Sequence, residues 1–348
     1  MPEGKSYVEW IDLDQIYIGY KADDSSVTES GYPRKIRIWK RGDDLKLAKT
    51  VFSGKKSDLG SWVDSVQDVS GKKTMILTRS VSFFTQEIYL LNDKITRKIR
   101  LPLDIELKAS HKSYIAVQFK KDGEYLQKKF KQGELVVIDI SKWDEGKGLK
   151  ALSLIKPTTK QGIEDVVATK SGFFVKVLEN VSSKILFFSR LKDGDYKQEA
   201  VNLPKNGSID IITSCGKYDQ VIVDFEGFLT PSTRFQLAQT RRLKIKSLQP
   251  LFNADDYEVS QKFATSKDGT KIPYYFVSKK NLPLDGTQPT LLYGYGGFEI
   301  SLTPFYSGTY GKLWLEQGGA FAVANIRGGG EFGPKWHQAA LKLSLIHI

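Results

Sequence analysis

The sequence is poor in the residues that cross-link chains or ligate metals. A single cysteine, Cys215, permits no intramolecular disulfide and no cysteine-rich metal cluster, and three histidines, at 111, 337 and 347, make a multi-histidine site unlikely on numbers alone. No metal and no cofactor is therefore expected. No run approaches the ~18 to 20 consecutive apolar residues that a membrane-spanning helix needs, and Met1-Pro2-Glu3-Gly4-Lys5 lacks the apolar stretch of a secretory signal. No membrane partner is expected. Disorder is excluded by what is present: 40% hydrophobic and 12% aromatic residues in a chain of 348, enough for one large core or two.

The net charge is +12, from 52 Lys and Arg against 40 Asp and Glu. Clustered cations would point to nucleic acid, because they release counterions from phosphate. Here the basic residues are scattered in short groups such as Lys120-Lys121 and Arg241-Arg242-Leu243-Lys244, with no nucleic-acid motif beside them. A solvated lysine-rich surface is the expectation, and no nucleic-acid partner.

From residue 8 to about 248 the sequence consists of short runs rich in β-branched and aromatic residues, broken by Gly, Asp, Asn and Lys turns. The runs fall into five groups of four. Their first members, near Val8, Trp62, Ile105, Ile163 and Ile209, recur at the spacing of about 45 to 55 residues that marks four-stranded propeller blades. One such blade cannot cover both of its faces, so the units are stable only when stacked against neighbours. A pair of β-sandwiches could use the same strands, but sandwiches seldom need twenty.

Near Gln249-Pro250 the texture changes. A hairpin is predicted around the turn Lys267-Asp268-Gly269-Thr270, followed by the apolar run Thr290 to Tyr293, which stops at Gly294-Tyr295-Gly296-Gly297-Phe298. Thr303-Pro304 reads as a helix start and Gly318-Gly319 as a stop, with Tyr306, Tyr310, Leu313 and Trp314 on one buried face. A second apolar run, Ala320 to Ile326, ends in Arg327-Gly328-Gly329-Gly330-Glu331-Phe332-Gly333. Apolar strand, helix, apolar strand is the pattern of a parallel α/β sheet. Working groups of such sheets sit beyond the carboxyl ends of the strands, where both glycine-rich segments fall. A phenol projecting from the first of them, Tyr295, could donate to a developing oxyanion; a tight turn whose tyrosines only pack is the equal alternative.

Leu292 to Phe298, with Ala322 to Gly333 and Trp336-His337, closely resembles the start of the catalytic domain of prolyl oligopeptidases. Thr28-Glu29-Ser30-Gly31-Tyr32-Pro33 and Ser266 to Tyr274 look like bacterial members of the same serine-peptidase family. The resemblance reaches to about Leu341. It implies a seven-bladed β-propeller, about five blades of it present in residues 1–249, followed by the first part of an α/β-hydrolase domain in residues 250–348. It also implies a Ser, Asp, His triad that cleaves short peptides after proline, a short peptide as partner, and a monomer. By the same resemblance Tyr295 matches the tyrosine whose hydroxyl helps form the oxyanion hole, and Phe298 an aromatic residue lining the proline-side pocket. Cytoplasm and periplasm both remain open as locations.

One departure outweighs these matches. A nucleophile elbow needs Gly-x-Ser-x-Gly, and no such pentapeptide occurs in the sequence. The family's elbow follows the Trp336-His337 helix, so the triad is expected to be absent and the chain by itself inactive. The run Leu343 to Ile348 departs from the family's amphipathic continuation. Residues 327 and 331 are as well suited to a salt bridge or turn as to substrate contact. His111, at a propeller turn, His337 and His347 are expected to be ordinary surface or partly packed histidines, and Ser301 and Ser307 to be helix caps rather than nucleophiles. From a different class, a propeller serving as a non-catalytic binding scaffold is the alternative function.

Overall fold

The computed structural model describes residues 3–67, 73–91, 96–111, 113–140, 150–283 and 285–341. The chain divides into two compact units, Met1–Ile155 and Lys156–Ile348.

Among the described residues the first unit holds three four-stranded antiparallel sheets. The first comprises β1 (Tyr7–Trp10), β2 (Gln15–Gly19), β3 (Lys35–Lys40) and β4 (Lys49–Ser53), and the second β5 (Gly60–Gln67), β6 (Lys73–Ser80), β7 (Gln86–Leu91) and β8 (Thr96–Lys98). The third begins with β9 (Ile105–His111) and β10 (Tyr114–Phe119), is interrupted by a separate hairpin of β11 (Gly123–Tyr125) and β12 (Lys128–Phe130), and closes with β13 (Leu135–Asp139) and β14 (Lys150–Ile155).

Two further sheets of the same kind open the second unit: β15 (Gln161–Ala168), β16 (Gly172–Glu179), β17 (Ser182–Arg190) and β18 (Tyr196–Ala200), then β19 (Ser208–Cys215), β20 (Gln220–Gly227), β21 (Thr230–Ala238) and β22 (Arg241–Ser247). The five groups of four runs read from the sequence are these sheets. Their middle strands are apolar on both sides because both are covered: in β16, Phe173, Phe174, Val175, Val177 and Leu178 are all buried. The fourth strand of the fifth sheet, β22, faces water, with six of its seven residues exposed.

The second unit ends in a mixed sheet of β23 (Tyr257–Thr265), β24 (Lys271–Lys279), β25 (Thr290–Gly294) and β26 (Ala320–Ala324), ordered β23-β24-β26-β25. β25 and β26 pair in parallel, as expected, but β26 also pairs antiparallel with β24, so the predicted hairpin is part of the sheet. β26 is covered on both sides, whereas all five residues of β25, at the sheet edge, are exposed. An aromatic core binds this sheet to the one before it. Phe228, at the β20–β21 turn, packs against Tyr275, Phe305 and Phe321 with ring centroids 5.4, 5.5 and 6.0 Å away.

The helix expected from Thr303-Pro304 is shorter and begins later. α1 covers Gly308–Tyr310, with Ser307 as its N-cap, the hydroxyl accepting from the Tyr310 N–H at 3.2 Å. It passes into a π-turn over Gly311–Leu315, closed by Glu316 N–H to Gly311 O at 3.0 Å. That extra residue rotates the face: Leu313, expected inside, is 67% exposed and Leu315 is buried instead. A last helix, α2 (Pro334–Gln338), starts on Pro334.

Candidate active site

β25 delivers the chain to Tyr295, one residue past its carboxyl end. Gly296 then turns with φ +68, a conformation L side chains rarely adopt, and a Cβ there would lie 2.5 Å from the Ile326 side chain. The phenol ring of Tyr295 folds over Gly297 and stays 40% exposed, with no hydrogen bond to its hydroxyl among the described residues. It is thus neither sealed in packed protein nor committed to a structural partner. The cavity of about 740 Å³ in the same unit opens elsewhere, between residues such as Ser183, Asn202, Gln261 and Tyr275.

Phe298 is 71% exposed and, like Glu299, has a positive φ, +52 and +60 respectively. Two consecutive left-handed residues without a glycine cost on the order of 1 to 3 kcal/mol each and persist only where their surroundings impose them. Ile300 N–H closes the turn on Gly297 O at 3.0 Å, and Glu299 N–H reaches Gly328 O at 3.2 Å, tying this loop to the second glycine-rich segment. Side chains 295 and 298, assigned to the site from the sequence, therefore leave one stiff loop on the exposed side of the sheet edge.

His337 is a clamp beneath that loop rather than a surface residue. It is 5% exposed, with Nδ1 2.6 Å from Gly328 O and 3.1 Å from Glu299 N. So short a distance to a carbonyl oxygen needs the proton on Nδ1, which donates to Gly328 O, leaving the Glu299 N–H to the same carbonyl. His111, expected at a turn, ends β9 and is buried, paired across to Tyr114. His347 and Leu343 to Ile348 lie outside the described residues.

Arg327 is structural. Its guanidinium pairs with Asp268 and bonds Ser266 Oγ at 3.0 Å and Thr270 Oγ1 at 3.4 Å, pinning the hairpin turn and holding the Asp268 carboxyl well below its usual range. Glu331 is 1% exposed; Leu302 N–H donates to its Oε1 at 3.0 Å and Asn325 Nδ2 at 3.2 Å. Burial pushes its pKa up to about 7 against the pull of those donors, and the charge of Glu164 adds to the rise. Ser301, expected as a helix cap, instead donates to Glu164 Oε1 at 2.6 Å, joining the loop to β15. Asn325 and Glu164 carried no signal in the sequence: the first lies inside the apolar run Ala320 to Ile326, and the second is 137 residues from the serine it meets.

The family model for the N-terminal β-propeller domain of prolyl oligopeptidase matches residues 2–246. The chain belongs to the prolyl oligopeptidase family. The sheets through β22 are accordingly its propeller portion, and Tyr295 and Phe298 lie beyond the matched residues. An uncharacterized peptidase of Sinorhizobium fredii is 38% identical over 351 residues, covering 98% of this chain and 48% of its own length. A prolyl endopeptidase of Elizabethkingia miricola is 38% identical over 172 residues, 49% of this chain and 24% of that protein. The solved structure of a post-proline cleaving enzyme from Rickettsia typhi superposes with a TM-score of 0.86 at 30% identity, over 97% of this chain and 50% of that one. The chain thus spans about half the length of the Sinorhizobium fredii and Rickettsia typhi proteins.

Proposed function

We propose that this chain is the substrate-admitting half of a serine-type oligopeptidase that hydrolyses short peptides on the carboxyl side of proline. In this reading residues 1–249 are about five blades of a seven-bladed propeller that filters substrates by size, and residues 250–348 open an α/β-hydrolase domain. Tyr295 donates its phenolic hydrogen to the oxyanion of the tetrahedral intermediate, while Phe298 lines the pocket for the proline ring. No Gly-x-Ser-x-Gly occurs in this chain, so the attacking serine, the histidine that takes and returns its proton, and the aspartate that orients the histidine are assigned to none of its residues.

The observation that carries the reading is the free, half-exposed phenol of Tyr295 at the carboxyl end of a parallel strand, three residues before the exposed Phe298. A preorganised donor in such a place is worth roughly 3 to 4 kcal/mol to acyl transfer once water is excluded. In this reading the intact peptidase is a monomer that takes a short peptide as its partner. Incubation with a proline-linked chromogenic peptide tests the first consequence: the chain alone gives no cleavage above background, and turnover by it would refute the missing-triad account. Reading the source gene past this segment tests the second consequence: a Gly-x-Ser-x-Gly downstream favours the peptidase, and its absence favours a non-catalytic binding scaffold.

A further inference from the structure

Glu331 is enclosed without a cation: no salt bridge reaches it among the described residues. Besides donating to Glu331, Asn325 Nδ2 donates to Leu302 O at 2.6 Å, which fixes the amide orientation, since the flipped amide would set oxygen against oxygen. Two buried acceptors then have no donor among the described residues, Glu331 Oε2 and Asn325 Oδ1. Buried acceptors without a donor are costly, and a carboxylate can only accept. A proton on the carboxyl removes a buried negative charge that no cation offsets, which is the largest cost of enclosing this group.

Among the described residues one charged group acts on this carboxyl. Glu164 on β15, already engaged by Ser301, is the one whose negative charge opposes ionisation. Glu299 lies on the loop itself, His337 on α2 holds Gly328 O, and Arg327 in the same glycine-rich segment is occupied by Asp268.

We propose that Glu331 is a positioning residue: its neutral carboxyl clamps Leu302 and Asn325, and loss of its proton loosens the 294–302 loop that carries Tyr295 and Phe298. The step is a simple proton release to solvent. It rests on the functional reading only in assigning that loop to the site. Because the closed loop holds the proton more tightly than an open one would, loop opening increases as the pH rises from the ordinary glutamate range toward about 7 and is flat above it.

Hydrogen exchange of this chain tests the proposal, read on the segment 299–305, whose Leu302 amide bonds the carboxyl directly. After correction for intrinsic exchange, protection falls at least about tenfold between about pH 5 and about pH 7.5 in the wild type, and by less than about twofold in Glu331→Gln, which keeps the neutral shape. In Glu164→Gln the fall is smaller and complete at lower pH. Wild-type protection independent of pH overturns the proposal. So does an unchanged pH dependence in Glu331→Gln, which assigns the effect to a group other than Glu331. If Glu331→Gln loses its near-ultraviolet circular dichroism, Glu164→Gln decides, and a profile identical to wild type contradicts the proposal. None of these readouts uses turnover, so failure of the peptidase reading leaves the result standing.

Discussion

The backbones of Gly296 and Gly328 meet so closely that a Cβ on Gly328 would lie 2.0 Å from the Gly296 carbonyl oxygen. The two glycine-rich segments, whose meeting glycines are 32 residues apart in sequence, are thereby one structural object, with Tyr295 on its outer side and His337 beneath.

Gly328→Ala is expected to destabilise the second unit by about 2 to 4 kcal/mol, combining a φ of +101 with a backbone overlap that no rotamer relieves. Gly318→Ala is the control, since its φ is +90 but nothing lies within 4 Å of the added carbon, and about 1 kcal/mol is expected. Urea unfolding midpoints check the contrast; equal losses would mean the close approach contributes nothing.

Phe228→Ala is expected to cost about 3 to 5 kcal/mol, because its ring fills the aromatic core that joins the β20–β21 turn to the mixed sheet. Thermal unfolding of the variant measures it. A loss under about 1 kcal/mol would show that the two sheets hold together without this wedge.

In the first unit Arg79 makes a bidentate pair with Asp58, at 2.7 and 2.8 Å, and a third bond to Glu87 at 2.8 Å, with the Asp58 side chain only 1% exposed. Arg79→Leu leaves that carboxylate buried and unpaired and is expected to cost about 3 to 5 kcal/mol. Arg79→Lys restores charge but not the fork, and is expected to recover part of the loss. Denaturant titration distinguishes the three proteins.

The pH dependence of stability carries the same signature as the loop. Glu331 is raised from its ordinary 4.5 to about 7 by burial, so its contribution is fully present below about pH 4.5, is lost as the pH climbs to about 7, and is constant beyond. The loss is on the order of 3 kcal/mol. Glu331→Gln is expected to flatten this part of the stability profile of the second unit, measured by denaturant midpoints across that range.

Strands were legible in the sequence because sheet burial writes itself directly into period and composition: Phe173-Phe174-Val175 reads as a covered strand, and the fourth run of the fifth group, read over Leu243 to Leu248, is the strand Arg241–Ser247. The β11–β12 hairpin escaped, since its turn residues Leu126 and Gln127 take φ of +50 and +62 without the Asn-Gly signal that such turns usually carry. The π-turn at Gly311 escaped for a different reason. Phe252 occupies the space beside Gly311 where a Cβ would sit 2.0 Å from its ring, and nothing local announces a contact 59 residues away. At the site, Tyr295 and Phe298 were visible through motif likeness, and the clamp formed by Glu331, Asn325 and Glu164 was not, because it depends on which distant backbone closes over a carboxyl.

The most direct test is Tyr295→Phe in the full-length gene product, assayed on a proline-linked chromogenic peptide. Loss of an oxyanion donor predicts a kcat lower by roughly 10²- to 10³-fold with KM changed by less than about threefold. A kcat equal to wild type would contradict the assignment of this phenol to the hydrolytic pocket.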